Sequence, residues 1–278
     1  MLVSGDAAAA ARPRVCHVYQ RVGRAELRLD VKLPHGDSPG LRPAVVWVHG
    51  GGWVAGNRAE GGMWHRWLND RGYAVFAVDY RLAPPPRWNQ APGDVLCAIG
   101  WVKQHAAQYH VDPNRMVIAG GSAGGNLALM AAYADARVRP SCPVADSSVR
   151  AVMALYPGSD LVTLWHDTGP HAIRVAVQKY TGGTPWQYPE RYAAASPITY
   201  VRRGIPPTLL LHGTRDHISP FVLATELDDK LAAAGVEHEL LAVPYGEHVF
   251  DLAWGDWGTQ ISRRVFARFL DRYCPAES

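Results

Sequence analysis

Short, continuously apolar runs recur along the middle of this chain, and most of them end in Gly, Asp or Pro. Their length suits strands, and their lack of polar alternation is typical of strands covered on both faces, as in a parallel sheet. In chain order the runs are PAVVWVHG (43–50), YAVFAVDY (73–80), NRMVIAG (114–120), RAVMALYP (150–157) and PPTLLLHG (206–213). We therefore predict that a parallel sheet forms the centre of the fold.

The amino-terminal region has a different pattern, in which polar and apolar residues alternate. Two such segments, RVCHVYQRV (14–22) and AELRLDVKLP (25–34), are joined by Gly23-Arg24. Alternation is typical of strands with one wet face, and a short link that contains Gly is typical of a tight turn. This region is predicted to form an antiparallel hairpin that begins near Val15.

Helical spacing appears between the predicted strands. One helix is predicted from a leucine repeat, with Ser219 as its N-cap, Pro220 in its first turn and Gly235 after its end. Strands that alternate with helices after a hairpin predict a doubly wound α/β sheet with an antiparallel edge. The apolar positions of the three clearest helices are Val95, Ala98, Ile99, Val102 and Tyr109; Leu223, Leu227 and Leu231; and Ile261, Val265, Phe266, Phe269, Leu270 and Tyr273.

Residues 158–200 interrupt this alternation, because they combine aromatic residues with prolines and glycines and show no clear period. A long insertion inside a compact domain is usually functional. We expect this one to cross the carboxyl ends of the strands, where open α/β sheets bind ligands. Simple packing within the loop is the alternative for each aromatic residue. No repeat or linker interrupts the chain, so we predict a single domain over residues 1–278 with a small, aromatic-rich cap insertion.

Composition excludes several classes of protein. The 278 residues are 48% hydrophobic and 19% charged, with a formal net charge of +3. This slight charge, without any block of Lys and Arg, predicts no nucleic-acid partner. No apolar run approaches the ~18 residues that would suggest a membrane span.

The first residues are small and polar and lack the basic-then-apolar order of a secretory signal, so residues 1–14 are predicted to be a mobile terminus. The four cysteines, Cys16, Cys97, Cys142 and Cys274, have no metal-ligand spacing. They suit buried or incidental thiols in a reducing compartment better than a disulfide framework. These features predict a cytoplasmic protein.

The stretch GGSAGGN (120–126) places one serine among four glycines. It matches G-x-S-x-G and lies between a strand-like run and a helix-like run, which is the context of a nucleophile elbow. At such a turn, larger residues at Gly120 and Gly124 would collide with neighbouring backbone, and the serine is held in a strained, exposed conformation. We predict Ser122 as a nucleophile, with an ordinary glycine-rich turn as the alternative.

A serine nucleophile needs a base, and the base needs a carboxylate to orient it. In the α/β-hydrolase arrangement these residues follow in the order Ser, Asp or Glu, His. His248 lies between the last strand-like run and the last predicted helix, and Asp216 follows the preceding strand-like run. We predict His248 as the base and Asp216 as the acid. Asp160, which leaves one strand earlier, is the only serious rival of Asp216.

Acyl transfer also needs hydrogen-bond donors aimed at the developing oxyanion. The segment HGGGW (49–53) follows a strand-like run and is the type of glycine-rich loop that supplies them. The amides of Gly51, Gly52 and Ala123 are predicted to form a three-donor oxyanion hole, with His49 bracing the loop. No lysine follows these glycines, so the loop does not fit a phosphate-binding P-loop.

Taken together, these motifs resemble the hormone-sensitive-lipase-like branch of the α/β-hydrolases and the neighbouring acyl-esterase and feruloyl-esterase-like enzymes. The residues that carry the likeness are HGGGW, DYRLAP (79–84), GGSAGGN, Arg215-Asp216 and HVF (248–250). The likeness runs from about residue 25 to about residue 272. It implies the α/β-hydrolase fold and a structural role for Asp79 and Arg81, which would brace the sheet through a salt bridge.

The chain departs from the hormone-sensitive-lipase-like pattern in two respects. Position 121 is Gly, whereas the elbow of that branch usually reads G-D-S-A-G-G. That branch also carries a sizeable amino-terminal cap, whereas here the predicted hairpin leaves about fourteen residues ahead of it. Both features favour the acyl-esterase neighbours.

These observations predict a serine carboxylic-ester hydrolase that acts on short- to medium-chain acyl or aryl esters through an acyl-enzyme. Trp53, Trp165 and Trp186 are predicted to bind the substrate as an apolar wall. A small-molecule ester is the expected partner, no metal or organic cofactor is expected, and a homodimer is the only protein assembly considered.

Two other enzymatic functions use the same machinery, namely cleavage of an aryl formamide or other amide, and transfer of an acyl group to an alcohol. A function of another class is a small-molecule receptor on the hydrolase scaffold. Receptors of this fold can lose the histidine, and retention of His248 argues against that function.

Overall fold

Eight strands and eight α-helices make up the regular structure of the residues that the computed structural model describes, which are 15–36 and 40–276. The predicted mobile terminus, residues 1–14, lies outside them. The strands are β1 (Val15–Val22), β2 (Ala25–Lys32), β3 (Arg42–Val48), β4 (Ala74–Val78), β5 (Val111–Gly121), β6 (Ala151–Leu155), β7 (Thr208–Gly213) and β8 (His238–Val243). The helices are α1 (Gly62–Asp70), α2 (Ala91–Gln104), α3 (Ala123–Ala132), α4 (Leu161–Asp167), α5 (His171–Thr181), α6 (Pro189–Ala194), α7 (Val222–Ala233) and α8 (Trp257–Tyr273). Short 3-10 helices cover Ala106–Tyr109, Pro197–Tyr200 and Phe250–Leu252.

All eight strands belong to one sheet, in the order β1-β2-β4-β3-β5-β6-β7-β8. Strand β2 runs antiparallel to both of its neighbours, and every pair from β4 to β8 is parallel. Strands β1 and β2 form the predicted hairpin, with Val22 opposite Ala25 across the turn. The predicted doubly wound sheet with an antiparallel edge is therefore confirmed.

The sheet is buried on both faces, which explains why its central strands lack polar alternation. Val46 of β3 packs into one apolar cluster together with α2, α3 and α7, whereas its neighbour Trp47 packs into a second cluster together with α1 and α8. Leu68 of α1 and Phe266 of α8 are fully buried in the second cluster. Burial of one such side chain is worth about 1.5–3 kcal/mol.

The start of α7 differs from the prediction. The helix begins at Val222, so Ser219 is not its N-cap and Pro220 precedes it. The amide of Ser219 instead donates to Asp216 Oδ1 at 2.8 Å, and its hydroxyl donates to the carbonyl oxygen of Pro157 at 3.2 Å. Ser219 therefore belongs to the turn that holds Asp216. The predicted stop signal is confirmed, because Gly235 follows the helix with a φ of 65°.

The segment 158–200 is largely helical, contrary to the irregular loop that its sequence pattern suggested. It contains α4, α5 and α6, which have 7, 11 and 6 residues. Helices this short contribute too few turns for a period to stand out. Asp160 is the N-cap of α4, since its Oδ1 accepts from the amides of Val162 at 2.7 Å and Thr163 at 3.1 Å. This capping role accounts for Asp160 without catalysis.

The prediction that all four cysteines are thiols is wrong for Cys97 and Cys142. Cys97 of α2 and Cys142 form a disulfide across a sequence separation of 45, while Cys16 and Cys274 are free. The prediction of a cytoplasmic location rested in part on the expected absence of disulfides, so it loses that support.

Within residues 15–36 and 40–276, no helix combines the length and the apolar character needed to cross a membrane.

Candidate active site

Ser122 lies at the sharp turn between β5 and α3. Its backbone angles are φ 56° and ψ −123°, a sparsely populated conformation for a residue with a side chain. A Cβ atom at Gly124 would lie 2.2 Å from the carbonyl oxygen of Val48, and one at Gly120 would lie 2.6 Å from the same oxygen. The turn is therefore so close to β3 that only glycine fits at either position.

The three residues predicted as nucleophile, base and acid lie in one hydrogen-bonded chain. The hydroxyl of Ser122 donates to His248 Nε2 at 3.0 Å, and His248 Nδ1 donates to Asp216 Oδ2 at 2.7 Å. A carboxylate can only accept, so it holds the proton on Nδ1 and leaves the Nε2 lone pair for the serine proton. The contacts span 126 and 32 residues of sequence.

Asp216 is held in place by more than His248. Its Oδ1 accepts from the amides of Ile218 at 2.9 Å and Ser219 at 2.8 Å. A second histidine, the fully buried His212, places Nε2 3.5 Å from Oδ2 and 2.6 Å from the carbonyl oxygen of Ser219. Burial acts to raise the pKa of the Asp216 carboxyl, but hydrogen bonds from His212 and His248 outweigh it and hold the pKa at about 2.

The HGGGW loop follows β3 and faces Ser122. Gly51, Gly52 and Trp53 have φ values of 102°, 58° and 62°, so three successive residues occupy the left-handed region. A Cβ at Gly51 would lie 2.2 Å from the carbonyl oxygen of Ala55, which makes glycine obligatory there. Among the described residues, the amides of Gly51, Gly52 and Ala123 donate to no protein acceptor. They are thus free to receive an oxyanion.

His49 stands behind this loop. Its ring stacks on Tyr80 with centroids 4.3 Å apart, and its Nδ1 donates to the carbonyl oxygen of Gly50 at 2.8 Å. Burial lowers the pKa of His49. These contacts fit the predicted bracing role.

Ser122 opens into a cavity of about 760 Å³. Trp53 contributes to its wall and is itself fixed, because its ring stacks on Tyr180 at 4.8 Å and its Nε1 donates to Asn126 Oδ1 at 3.3 Å. The residues of α4 and α5 that line the cavity are apolar. Besides the catalytic candidates and the glycine-rich loops, its lining includes Trp47, Trp53, Leu164, Ala172, Ile173, Ala176, Ile218, Ser219, Val249 and Leu252, as well as Glu60, Tyr156 and Asp251.

Trp165 and Trp186 do not line this cavity, contrary to the prediction that they bind substrate. Leu164 points into it, and the next residue of an α-helix is rotated by about 100°, so Trp165 faces another direction. There its ring packs edge-to-face with that of Trp186, with the ring centroids 4.8 Å apart, and Trp186 is 66% exposed. The sequence located the right segment but not the face of its helix.

Tyr156 and Asp251 are the site residues that sequence reasoning missed. The ring of Tyr156 lies 4.6 Å from the imidazole of His248, and its hydroxyl donates to Asp251 Oδ1 at 2.6 Å. Burial and the charge of Asp251 raise the pKa of Tyr156. One signal was available, since Tyr156 directly follows β6, the strand beside β5, and so lies at the edge of the sheet that carries Ser122.

Asp79 and Arg81 of DYRLAP both form ion pairs, although not with each other. Arg58 bridges Asp79 at 2.6 Å and the buried Asp30 at 3.0 Å. Arg81 pairs with the buried Asp94 of α2 at 2.5 Å. Both pairs tie the loop after β4 to neighbouring elements, which is the bracing function expected of this motif.

In the part of the chain that the structure describes, no group of three or more His, Cys, Asp or Glu residues is arranged to hold a metal ion.

Comparison with known proteins shows that the chain is similar to esterases. The BD-FAE family matches residues 29–231. Two curated relatives from Mycobacterium tuberculosis (strain ATCC 25618 / H37Rv) are the probable carboxylic ester hydrolase LipM, 32% identical over 241 residues, and esterase LipC, 34% identical over 226 residues. The alignments cover 84% and 77% of this chain but 55% and 54% of the relatives, so the chain spans about half the length of the curated relatives it matches.

Solved structures agree over nearly the whole chain. Esterase 2 of Thermogutta terrifontis superposes with a TM-score of 0.79 at 27% identity, covering 95% of this chain and 93% of that one. The same esterase is also known with butyrate bound, at a TM-score of 0.80, 28% identity and 95% coverage of both chains. It is known phosphonylated by sarin as well, at a TM-score of 0.80, 28% identity and 94% and 95% coverage. The predicted α/β-hydrolase fold and the resemblance to hormone-sensitive-lipase-like esterases are confirmed, and the chain belongs to the BD-FAE family of α/β-hydrolases.

Proposed function

We propose that this protein is a serine carboxylesterase that hydrolyses short- to medium-chain acyl or aryl esters. The observation that carries the proposal is the hydrogen-bonded chain from Ser122 through His248 to Asp216, with contacts of 3.0 and 2.7 Å, at the wall of a largely apolar cavity. The names of the relatives LipM and LipC, a probable carboxylic ester hydrolase and an esterase, support the same reaction class.

Acylation begins when Ser122 Oγ attacks the ester carbonyl and His248 Nε2 takes the hydroxyl proton. Asp216 stabilises the resulting imidazolium, because its carboxylate remains charged at neutral pH and is fixed by two backbone amides. The imidazolium then protonates the leaving alkoxide, and the alcohol departs, leaving the acyl group on Ser122.

Deacylation repeats these steps with water as the nucleophile. His248 removes a proton from water, the hydroxide attacks the acyl carbonyl, and the carboxylic acid is released as Oγ regains its proton. The amides of Gly51, Gly52 and Ala123 stabilise the oxyanion in both halves. The loss of one such donor typically costs about 10²–10³ in rate. No step in this sequence requires a metal or an organic cofactor.

The cavity supports the proposed substrate size. Pockets for small ligands are usually about 300–1,000 Å³, and this one has about 760 Å³. Leu164, Ile173 and Ala176 make one side of it apolar, which suits an acyl chain of modest length. Butyrate bound to the Thermogutta terrifontis esterase is of this size class.

The first test is hydrolysis of p-nitrophenyl esters from acetate to laurate by the wild type and by Ser122→Ala. We expect activity that is greatest on the shorter esters and at least about 10⁴-fold lower in the variant. Ser159→Ala is the matched control, because the Ser159 hydroxyl is buried and donates to the carbonyl oxygen of Leu223. Equal activity of the wild type and Ser122→Ala would exclude Ser122 as the nucleophile.

A second test identifies the nucleophile independently of turnover. Treatment with paraoxon followed by peptide mass analysis should place a single diethylphosphoryl group on Ser122. Ser219, the other serine that lines the cavity among the described residues, serves as the internal control. Its hydroxyl donates to Pro157 rather than to a histidine, so it should stay unlabelled. Label on Ser219, or none at all, would contradict the proposal.

A further inference from the structure

The half of the cavity next to His248 carries an acid that the hydrolysis itself does not use. Asp251 Oδ1 accepts from the Tyr156 hydroxyl at 2.6 Å, and Oδ2 accepts from Trp64 Nε1 at 2.6 Å. Both donors are neutral, so they orient the carboxylate without cancelling its charge, and each oxygen keeps a further lone pair. Among the described residues, no Lys, Arg or His forms a salt bridge with Asp251.

A second carboxylate lines the same cavity. Glu60 Oε1 accepts from the amide of Asn57 at 3.2 Å, and the Glu60 side chain is exposed. No Lys or Arg is found among the described residues that line the cavity. The field inside the cavity is therefore negative, because low-dielectric walls concentrate the effect of the two acids.

Asp251 is close to the reacting groups. Tyr156, which donates to it, has its ring 4.6 Å from the His248 ring, and a Cβ at Gly121 would lie 3.0 Å from the Tyr156 hydroxyl. His248 has to protonate the leaving oxygen, so the alcohol part of an ester must lie on the imidazole side of Ser122. That is the side occupied by Tyr156 and Asp251, whereas the apolar α4 and α5 remain for the acyl part.

We propose that Asp251 is a specificity-determining residue that makes the alcohol half of the site prefer esters with a cationic alcohol, such as an ammonium or quaternary ammonium alcohol. The inference rests on the proposed esterase function. Glu60 adds to the same negative field. The aromatic residues Trp47 and Tyr156 also line the cavity, and aromatic rings suit a cation that is poorly hydrated.

The test compares two esters of the same shape, butyrylcholine and 3,3-dimethylbutyl butyrate, which differ in one positive charge. Acid release is followed at low ionic strength in the wild type and in Asp251→Asn. We expect kcat/KM for the choline ester relative to the neutral ester to fall about tenfold in the variant. Comparing the ratio between proteins cancels the different intrinsic reactivities of the two esters.

Asp256→Asn is the matched control, because Asp256 is exposed, lies five residues away outside the cavity lining, and makes no capping hydrogen bond through its side chain. It should keep the wild-type ratio. The wild-type ratio should also decline as salt is added, since screening weakens a charge preference and leaves shape unaffected. An unchanged ratio in Asp251→Asn would overturn the inference.

A binding measurement keeps the inference testable when turnover fails. Tetramethylammonium should inhibit wild-type hydrolysis of the neutral ester competitively and more strongly than tert-butanol does. If tetramethylammonium inhibits no more strongly than tert-butanol, the inference is overturned, even if Asp251→Asn does not fold. If the wild type hydrolyses neither of these esters nor the p-nitrophenyl esters, the proposed function fails. Tetramethylammonium binding followed by tryptophan fluorescence, present in the wild type and lost in Asp251→Asn, would then still support the cation preference, and its absence would reject it.

Discussion

The close approach of α3 to β3 at Gly124 makes a quantitative prediction. In Gly124→Ala the added methyl would lie 2.2 Å from the carbonyl oxygen of Val48 and 2.4 Å from that of His49. Both atoms are backbone, so neither can rotate away, and the overlap with a normal contact is about 1 Å. Overpacking of this kind typically costs about 1–3 kcal/mol and occasionally more. With two such backbone contacts we take the upper end of that range; alanine gains up to about 1 kcal/mol in a helix, so we expect a net loss of about 2 kcal/mol.

The same substitution should impair catalysis, because His49, whose carbonyl the added methyl would meet, is the first residue of the HGGGW loop. Relief of the clash displaces that loop, and loss of one donor corresponds to about a hundredfold lower kcat. Urea unfolding measures the free energy of unfolding, and p-nitrophenyl butyrate hydrolysis measures kcat. Gly62→Ala is the matched control, since Gly62 also lies in the first turn of a helix and its Cβ would contact nothing within 4 Å. Wild-type stability and kcat in Gly124→Ala would refute the steric argument.

Three further predictions concern the acid, the disulfide and the cavity. The pKa of Asp216 is lowered to about 2, so the contribution of its carboxylate to stability is complete above the unfolded pKa near 4 and is lost as the pH falls towards 2. Urea titrations should therefore show the stability difference between wild type and Asp216→Asn shrinking by about 2 kcal/mol over that window. A constant difference would contradict this prediction. Reduction of the Cys97–Cys142 disulfide, verified by thiol counting, should lower the free energy of unfolding by about 2–4 kcal/mol, because the disulfide closes a long loop. Equal stability of the oxidised and reduced forms, or free thiols at Cys97 and Cys142 in the purified protein, would contradict this prediction. Leu164 lines the cavity, so Leu164→Trp should lower kcat/KM for p-nitrophenyl hexanoate relative to p-nitrophenyl acetate by about tenfold. Trp165→Ala should keep that ratio within about twofold of the wild-type value. The opposite pattern would mean that the acyl group binds elsewhere.

Much of the candidate site could be predicted from chain order alone. The apolar runs identify the strands because burial on both faces leaves no polar alternation. The carboxyl ends of parallel strands meet at one edge of a sheet, so motifs that follow β3, β5, β7 and β8 must lie near one another. This rule was sufficient to select Ser122, Asp216 and His248 before any distance was known. It also shows why Asp160 was a rival, since it follows β6 at the same edge and only its capping of α4 accounts for it otherwise.

Other predictions failed where the outcome depends on which way a side chain faces. Trp165 and Leu164 are neighbours in sequence, but α4 turns only Leu164 into the cavity, and a helix of 7 residues gives no period that reveals its buried face. Ser219 has the residue type of an N-cap, yet its amide is used by Asp216, so α7 begins later. In each case a tertiary contact outweighed a weaker local preference.

The sequence by itself determined the order of the strands, the glycine-rich turns, and the choice of Ser122, His248 and Asp216 as candidate nucleophile, base and acid, because each has a local pattern at a strand end. Only the tertiary structure joined Tyr156 and Trp64 to Asp251, across 95 and 187 residues, and paired Cys97 with Cys142. Such contacts have no local signature, since they arise where loops from distant strands are packed against one another. Packing therefore decided which charged side chains line the cavity.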